Sequence, residues 1–262
     1  MKWLTSAQQL NMALIAALVL LPISAAHASS LTINYYTIAE SDKDANHLAS
    51  GLFDNEVQNL LGISGLPVLN TSAYGCLSGC FSPTGAPTDV LADGEITYWS
   101  QTANNGGAGG TSDVSFTGSA SVSLPFNVSQ NFFPPNGTGS SDTNGFQAAT
   151  LTGTLYAPTS ESISFTIGSD DMAFAYLDGQ IVCDDGGVHA SQSVPCTSGI
   201  ISAGNHSLEV FFVDINNTQS GLSFDITTEG VTTTSTPEPG TMTLLGSSLL
   251  VLAGFVRRKI RV

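Results

Sequence analysis

The chain is 262 residues long, room for one all-β domain or two small ones, and its formal charge is −15. Between residues 29 and 236 the only Lys or Arg is Lys43, against 20 of the 21 acids, a side-chain charge near −19. Such a surface repels nucleic acid and anionic lipid headgroups, because phosphate binding depends on Lys and Arg, and it suits divalent cations and neutral partners such as sugars.

Residues 1–28 read as a secretory signal peptide. Lys2 lies in a polar start, an apolar run covers Met12–Ile23, and Ala26-His27-Ala28 forms a small-x-small site with cleavage predicted after Ala28. The next run, Leu31–Ile38, alternates as a strand does. Leu48–Leu61 is predicted to be helical, with Phe53, Val57, Leu60 and Leu61 on one face. The Gly/Pro/Ser-rich stretch Gly62–Pro87 reads as loop, Glu95–Ser100 as a short strand, and Val114–Leu124 as a strand pair between loops at 104–111 and 131–144. Seven strands are then predicted: Phe146–Tyr156, Ser162–Ile167, Met172–Leu177, Gln180–Cys183, Gly199–Ile201, Ser207–Val213 and Leu222–Thr227. That density argues for a sandwich or squashed barrel.

The four cysteines are Cys76, Cys80, Cys183 and Cys196. Four allow three connectivities; nearest-neighbour pairing, Cys76 with Cys80 and Cys183 with Cys196, is the simplest. Closing the second loop would stabilise the fold by roughly 3 kcal/mol on a chain-entropy account. The spacings do not match the paired Cys-x2-Cys knuckles of zinc sites, so disulfides are the preferred reading.

Five acids gather in Ile167–Ala190: Asp170, Asp171, Asp178, Asp184 and Asp185. Asp178-Gly179 joins two short apolar strands and has the chemistry of a type I′ hairpin turn. The carboxylate pairs then stand at the open ends of the two arms, with no base in the stretch. Oxygen donors of this kind suit calcium. A plainer reading is available for each: Ser-Asp-Asp is ordinary turn chemistry, Asp178 serves the turn, Asp184 and Asp185 form a solvated loop, and His189 is a poor calcium donor.

Toward the end of the chain a Thr/Ser run (231–236) precedes Pro237-Glu238-Pro239, an apolar stretch at 241–256, and Arg257-Arg258-Lys259. Sixteen helical residues span about 24 Å, marginal for a bilayer core, and the basic cluster would stay cytoplasmic. This order resembles the PEP-CTERM sorting signal of Gram-negative bacteria. The resemblance implies processing by an exosortase-type membrane enzyme, transient residence in the inner membrane through 241–256, and a product in the cell surface or biofilm matrix.

The middle of the chain resembles the PA14-like β-sandwich, most closely its fibro-slime branch. The residues that carry this are Gly153-x-Leu155-x-Ala157-Pro158, then Ser162-x-Ser164-Phe165-x-Ile167-Gly168-Ser169-Asp170-Asp171, Ala175-Tyr176-Leu177-Asp178-Gly179, Asp185-Gly186-Gly187-Val188-His189 and Leu208-Glu209-Val210-Phe211-Phe212. The implied layout is an all-β domain at 29–230, best matched over 146–228, with one short helix and long loops, between the signal peptide and the sorting segment 237–262. In the yeast adhesins of this group an Asp-Asp pair joined by a cis peptide binds calcium, and the calcium binds sugar hydroxyls; Asp170 and Asp171 match that pair. Adjacent side chains on an ordinary strand point to opposite faces, so the pair needs some such departure to grip one ion. The resemblance implies further ligands from the loop at 214–220, with Asp214 and Asn216 the best donors. The adhesins' sugar-contacting aromatic or basic residues have no clear counterpart.

Catalysis has no support in the motifs: there is no Gly-x-Ser-x-Gly elbow, no His-Glu-x-x-His and no phosphate loop. The expected function is an exported, non-enzymatic matrix or surface protein binding Ca2+ and an exopolysaccharide. The alternative is a non-lectin structural protein in which calcium only stabilises the fold.

Overall fold

The structure is a computed structural model that describes residues 29–42, 44, 55–71, 89–128, 145–216 and 219–235. The predicted cleavage site at Ala28, the Cys76 and Cys80 pair, and the whole sorting segment with Pro237, Glu238, Pro239, Arg257, Arg258 and Lys259 lie outside these residues.

The described chain is a β-sandwich of two antiparallel sheets with eleven strands. The larger sheet holds β1 (Ser30–Ile38), β2 (Val114–Ser123), β4 (Phe146–Ala157), β6 (Met172–Leu177), β7 (Gln180–Asp185), β9 (Gly204–Val213) and β11 (Thr232–Ser235). Its order is β2-β1-β4-β9-β6-β7, with β11 continuing the β1 edge of β4. The smaller sheet runs β3 (Phe126–Val128), β10 (Gly221–Ile226), β5 (Glu161–Asp170), β8 (Val194–Ile201).

The alternation of side chains across a strand explains how the larger sheet is buried on both faces. Every residue of β6 is buried. Ala173, Ala175 and Leu177 point into the core between the sheets, with Leu151, Val210, Phe212, Ile167 and Phe224. Met172, Phe174 and Tyr176 point the other way, into a second core closed by Val57, Leu66, Leu69, Ile96, Tyr98 and Trp99. Small residues face the tight inter-sheet space, and bulky ones fill the gap under the overlying segments. The indole N–H of Trp99 donates to the Phe212 carbonyl at 2.6 Å, which fixes this cover to the sheet.

The cover is where expectation and structure part. No helix occurs among the described residues, and the described part of the predicted one, residues 55–61, is irregular, with β-bridges at Val57 and Leu60. Gln58 N–H bonds Val68 O, and Leu61 N–H bonds Gly179 O at the hairpin turn. Val57 is buried while Leu60 is 57% exposed, so the supposed helical face is divided. Over the described residues the open edge of β7 and the segment at Val68 supply backbone partners that an isolated helical period cannot match. Leu66–Asn70, read as loop, pairs with this segment through the Val57–Leu69 bridge. Only Glu95 and Ile96 of the strand predicted at 95–100 make bridges, since the chain turns at Tyr98 and Trp99. The pair predicted at 114–124 is one strand, β2, paired along β1. The stretch 231–236, read as a linker, contributes β11. The seven strands of the later region are present, most of them longer than predicted.

Cys183 and Cys196 are disulfide-bonded, joining β7 of one sheet to β8 of the other.

Candidate functional site

Three connections cross between the sheets at one end of the sandwich, and all carry polar residues. The β5–β6 crossing is Asp170–Asp171 itself, the β7–β8 crossing holds Val188, His189 and Ala190, and the β9–β10 crossing begins at Asp214. Register requires their convergence: Met172 pairs with Val213, and Asp170 pairs with Gly221. The peptide bond between Asp170 and Asp171 is cis.

A cleft of about 140 Å³ opens there, lined by Asp170, Asp171, Val188, His189, Asn216 and Gln219 among others. Asp171 is 1% exposed, and its Oδ2 accepts the Ile215 N–H at 2.9 Å. Burial pushes its carboxyl up to about 7, against the Ile215 N–H and a hydrogen bond with Asp214, and with repulsion from Asp170. Asp170 is also raised by burial, while the Ser191 backbone and His189 oppose the rise. For His189, burial disfavours the charge, but Asp185 and the Ala190 carbonyl outweigh it and its pKa is raised.

Three of the four expected ligands, Asp170, Asp171 and Asn216, share this cleft. Asp214 is not among its lining residues: fully buried, it accepts the Asn216 N–H at 3.2 Å and shares a side-chain hydrogen bond with Asp171. Gln219 was not foreseen; it lies in the expected loop with a left-handed φ of 64°. Two carboxylates with two carboxamides on one wall form an all-oxygen donor set, which fits a hard cation such as calcium.

The other acids of the hairpin have structural partners. Asp178 has φ 51° and Gly179 φ 73°, as a type I′ turn requires, and the Asp178 carboxylate holds Ser207 N–H at 2.9 Å and His206 Nδ1 at 2.6 Å. Asp185 is buried, accepts from Ser169 N–H and Oγ, and receives the Gln192 amide. Asp184 Oδ2 takes the Val57 N–H at 3.4 Å.

A second acidic group went unnoticed in the sequence because its members come from three distant turns. Among the described residues, carboxylate oxygens of Asp42, Asp89 and Asp113 lie within 4.8 Å of one another and could hold a metal ion. Asp89 N–H donates to Asp44 at 2.7 Å, Asn104 Nδ2 donates to Asp89 at 2.5 Å, and Asn104 Oδ1 accepts the Asp113 N–H at 3.0 Å. Burial, followed by the charges of Asp42, Asp113 and Asp44, pushes Asp89 up to about 9. No sequence motif marks this group; only the folded cover assembles it.

A family model for the PA14 domain matches residues 132–238, and one for the PEP-CTERM protein-sorting motif matches 235–259. No curated protein matches. Solved structures match at low identity and with TM-scores below 0.4. A PA14 sugar-binding domain from an RTX adhesin is 10% identical, covering 79% of this chain and 95% of that one, at a TM-score of 0.35. An epithelial adhesin A domain from Candida glabrata, complexed with β-lactose, is 10% identical over 80% and 86%, at 0.36. A β-glucosidase from Kluyveromyces marxianus is 13% identical over 44% of this chain, at 0.36, and the match spans only 14% of the glucosidase.

Proposed function

Because this chain carries a PA14 domain followed by a PEP-CTERM protein-sorting motif, we propose that it is an exported, non-catalytic surface or matrix protein that binds carbohydrate through calcium at Asp170 and Asp171. The observation that carries the reading is the convergence of Asp170, Asp171, Asn216 and Gln219 on one cleft. Calcium, when bound, accepts about six to eight oxygen ligands and so has room for neutral sugar hydroxyls beside protein donors. The chain's own residues prepare the place. Ile215 N–H and the buried Asp214 hold the Asp171 carboxylate, and the Ser169–Asp185–Gln192 bonds fix the neighbouring crossing. Asn216 and Gln219 present amides that both donate and accept, as vicinal hydroxyls do.

Asp42, Asp89 and Asp113 support a second reading, in which calcium braces the fold and no sugar is bound, since this group lies within the cover. On this reading the chain meets an exosortase-type enzyme at the inner membrane of a Gram-negative bacterium, with an exopolysaccharide as its glycan; the match to the PEP-CTERM protein-sorting motif at 235–259 supports the sorting step. Calorimetry with calcium, followed by a glycan array with and without EDTA, tests both. Array signal abolished by EDTA and by Asp171→Asn supports the lectin; calcium binding with a silent array supports the structural reading. Stability indifferent to calcium in wild type, Asp170→Asn and Asp171→Asn alike would remove the Asp170–Asp171 site.

A further inference from the structure

A second groove, larger than the acidic cleft, carries no acid among its described lining residues. A groove of about 450 Å³ is lined by Asn55, Val57, Gln58, Asn59, Leu60 and Asn70. Four of its six residues carry carboxamides and none carries a charge, in a domain whose net side-chain charge is near −19.

The groove is firmly built. Its carrier segment, 55–61, is bonded along both edges. Gln58 N–H reaches Val68 O at 2.7 Å and Asn70 N–H reaches Glu56 O at 2.8 Å, while on the other side Ile181 N–H reaches Asn59 O at 2.9 Å. Asn55 sits at a left-handed φ of 65°, with its carbonyl held by Asn70 Nδ2 at 2.9 Å. Gln58 Nε2 is pinned to the Leu69 carbonyl. Val57 forms a buried floor and Leu60 an exposed apolar rim.

Carboxamides donate and accept at once, which matches the hydroxyls of a neutral sugar. An ionic ligand finds no counter-charge among the described residues of these walls, and an aliphatic rim suits the C–H face of a sugar ring. A peptide strand would instead need a free backbone edge, and both edges of 55–61 are already bonded. We propose that this groove is a second glycan subsite, selective for neutral sugar and independent of metal. It rests on the carbohydrate reading above only in sharing a polymer. Glu56 Oε2 accepts the Gly187 N–H at 2.5 Å, which ties the groove's carrier segment to the chain entering the Val188–Ala190 wall of the acidic cleft.

The test is retention of the full chain on immobilised dextran, mannan and galactan, and on their carboxymethylated forms, in calcium and in EDTA. Exposed Asn59 and Leu60 permit Asn59→Asp and Leu60→Ala without disturbing the core, and an unchanged melting temperature confirms this. Expected is EDTA-resistant retention on at least one neutral polymer, reduced tenfold or more by either variant and by carboxymethylation, but unaltered by Asp171→Asn. No EDTA-resistant retention on any of the three, or retention indifferent to both groove variants, overturns the subsite. Failure of the acidic cleft would look different: no calcium-dependent increment, and no effect of Asp171→Asn in calcium.

Discussion

Replacing Asp171 with Asn should stabilise the metal-free protein at neutral pH and destabilise the calcium-loaded one. In the fold Asp171 is 1% exposed and its carboxyl is pushed up to about 7, chiefly by burial. In an unfolded chain the same group titrates near 3.9, a gap of about three units, or roughly 4 kcal/mol. The folded state holds a proton that the unfolded chain releases. The contribution is therefore fully present below about pH 4 and is lost as pH rises to about 7. Asn keeps an oxygen for the Ile215 N–H and carries no charge to desolvate. Urea unfolding in EDTA, followed by the fluorescence of buried Trp99, should show wild type weaker at pH 7.5 than at pH 4.5. The variant should exceed it at pH 7.5 and roughly match it at pH 4.5. Adding calcium at pH 7.5 should reverse the order. Metal-free wild type equally or more stable at pH 7.5 than at pH 4.5, or a variant that never exceeds it there, would refute the reasoning.

Reduction of Cys183–Cys196, or the double Ser variant, should cost about 3 kcal/mol in urea unfolding, because the closed loop spans a separation of 13 residues. Phe212→Ala should cost about 3–5 kcal/mol in the same assay, since the ring is fully buried between the sheets. Gly168→Ala should lower calcium affinity more than thermal stability suggests: the new methyl would overlap the Gln192 carbonyl, displacing the crossing that carries His189. Isothermal titration compared with the melting temperature checks it, and unchanged calcium affinity would count against the coupling. Asp89→Asn should raise the melting temperature in EDTA at pH 8, because a carboxyl raised to about 9 by burial and three neighbouring acids opposes folding as pH climbs. A lower melting temperature would show that Asp89 contributes as an acceptor rather than opposing as a buried charge.

The strands from Phe146 onward could be read because each has its own local signal: alternation, Gly and Asp at turns, and an Asp-Gly hairpin that the Asp178 and Gly179 dihedrals match. Asp170, Asp171 and Asn216 could be placed from a motif, because the motif spans the two crossings that register forces together. Asp214 lies in the same loop as Asn216 but is buried and engaged with the Asn216 N–H, so the sequence could name the loop more readily than the donor within it. The cover was illegible for a different reason. Residues 55–61 take their shape from partners at Val68 and Gly179, and Asp42, Asp89 and Asp113 meet only through tertiary contact. No window of sequence contains both halves of such a contact. Thr232–Ser235 was lost among low-complexity Thr and Ser, which pair as readily as they link.

The two faces of β6 divide the molecule into parts that can change at different rates. Ala173 and Ala175 face the tight space between the sheets, whereas Met172, Phe174 and Tyr176 pack under an apolar lid pinned by the Trp99–Phe212 and Tyr176–Gln58 hydrogen bonds. The family match begins at residue 132, after the lid has ended, and takes in most of the frame. A frame packed on both faces thus carries a lid joined to it by a few hydrogen bonds and an apolar contact. The amide groove lies on that lid, so a chain of this design could acquire a new taste in polymers while its two sheets stayed untouched.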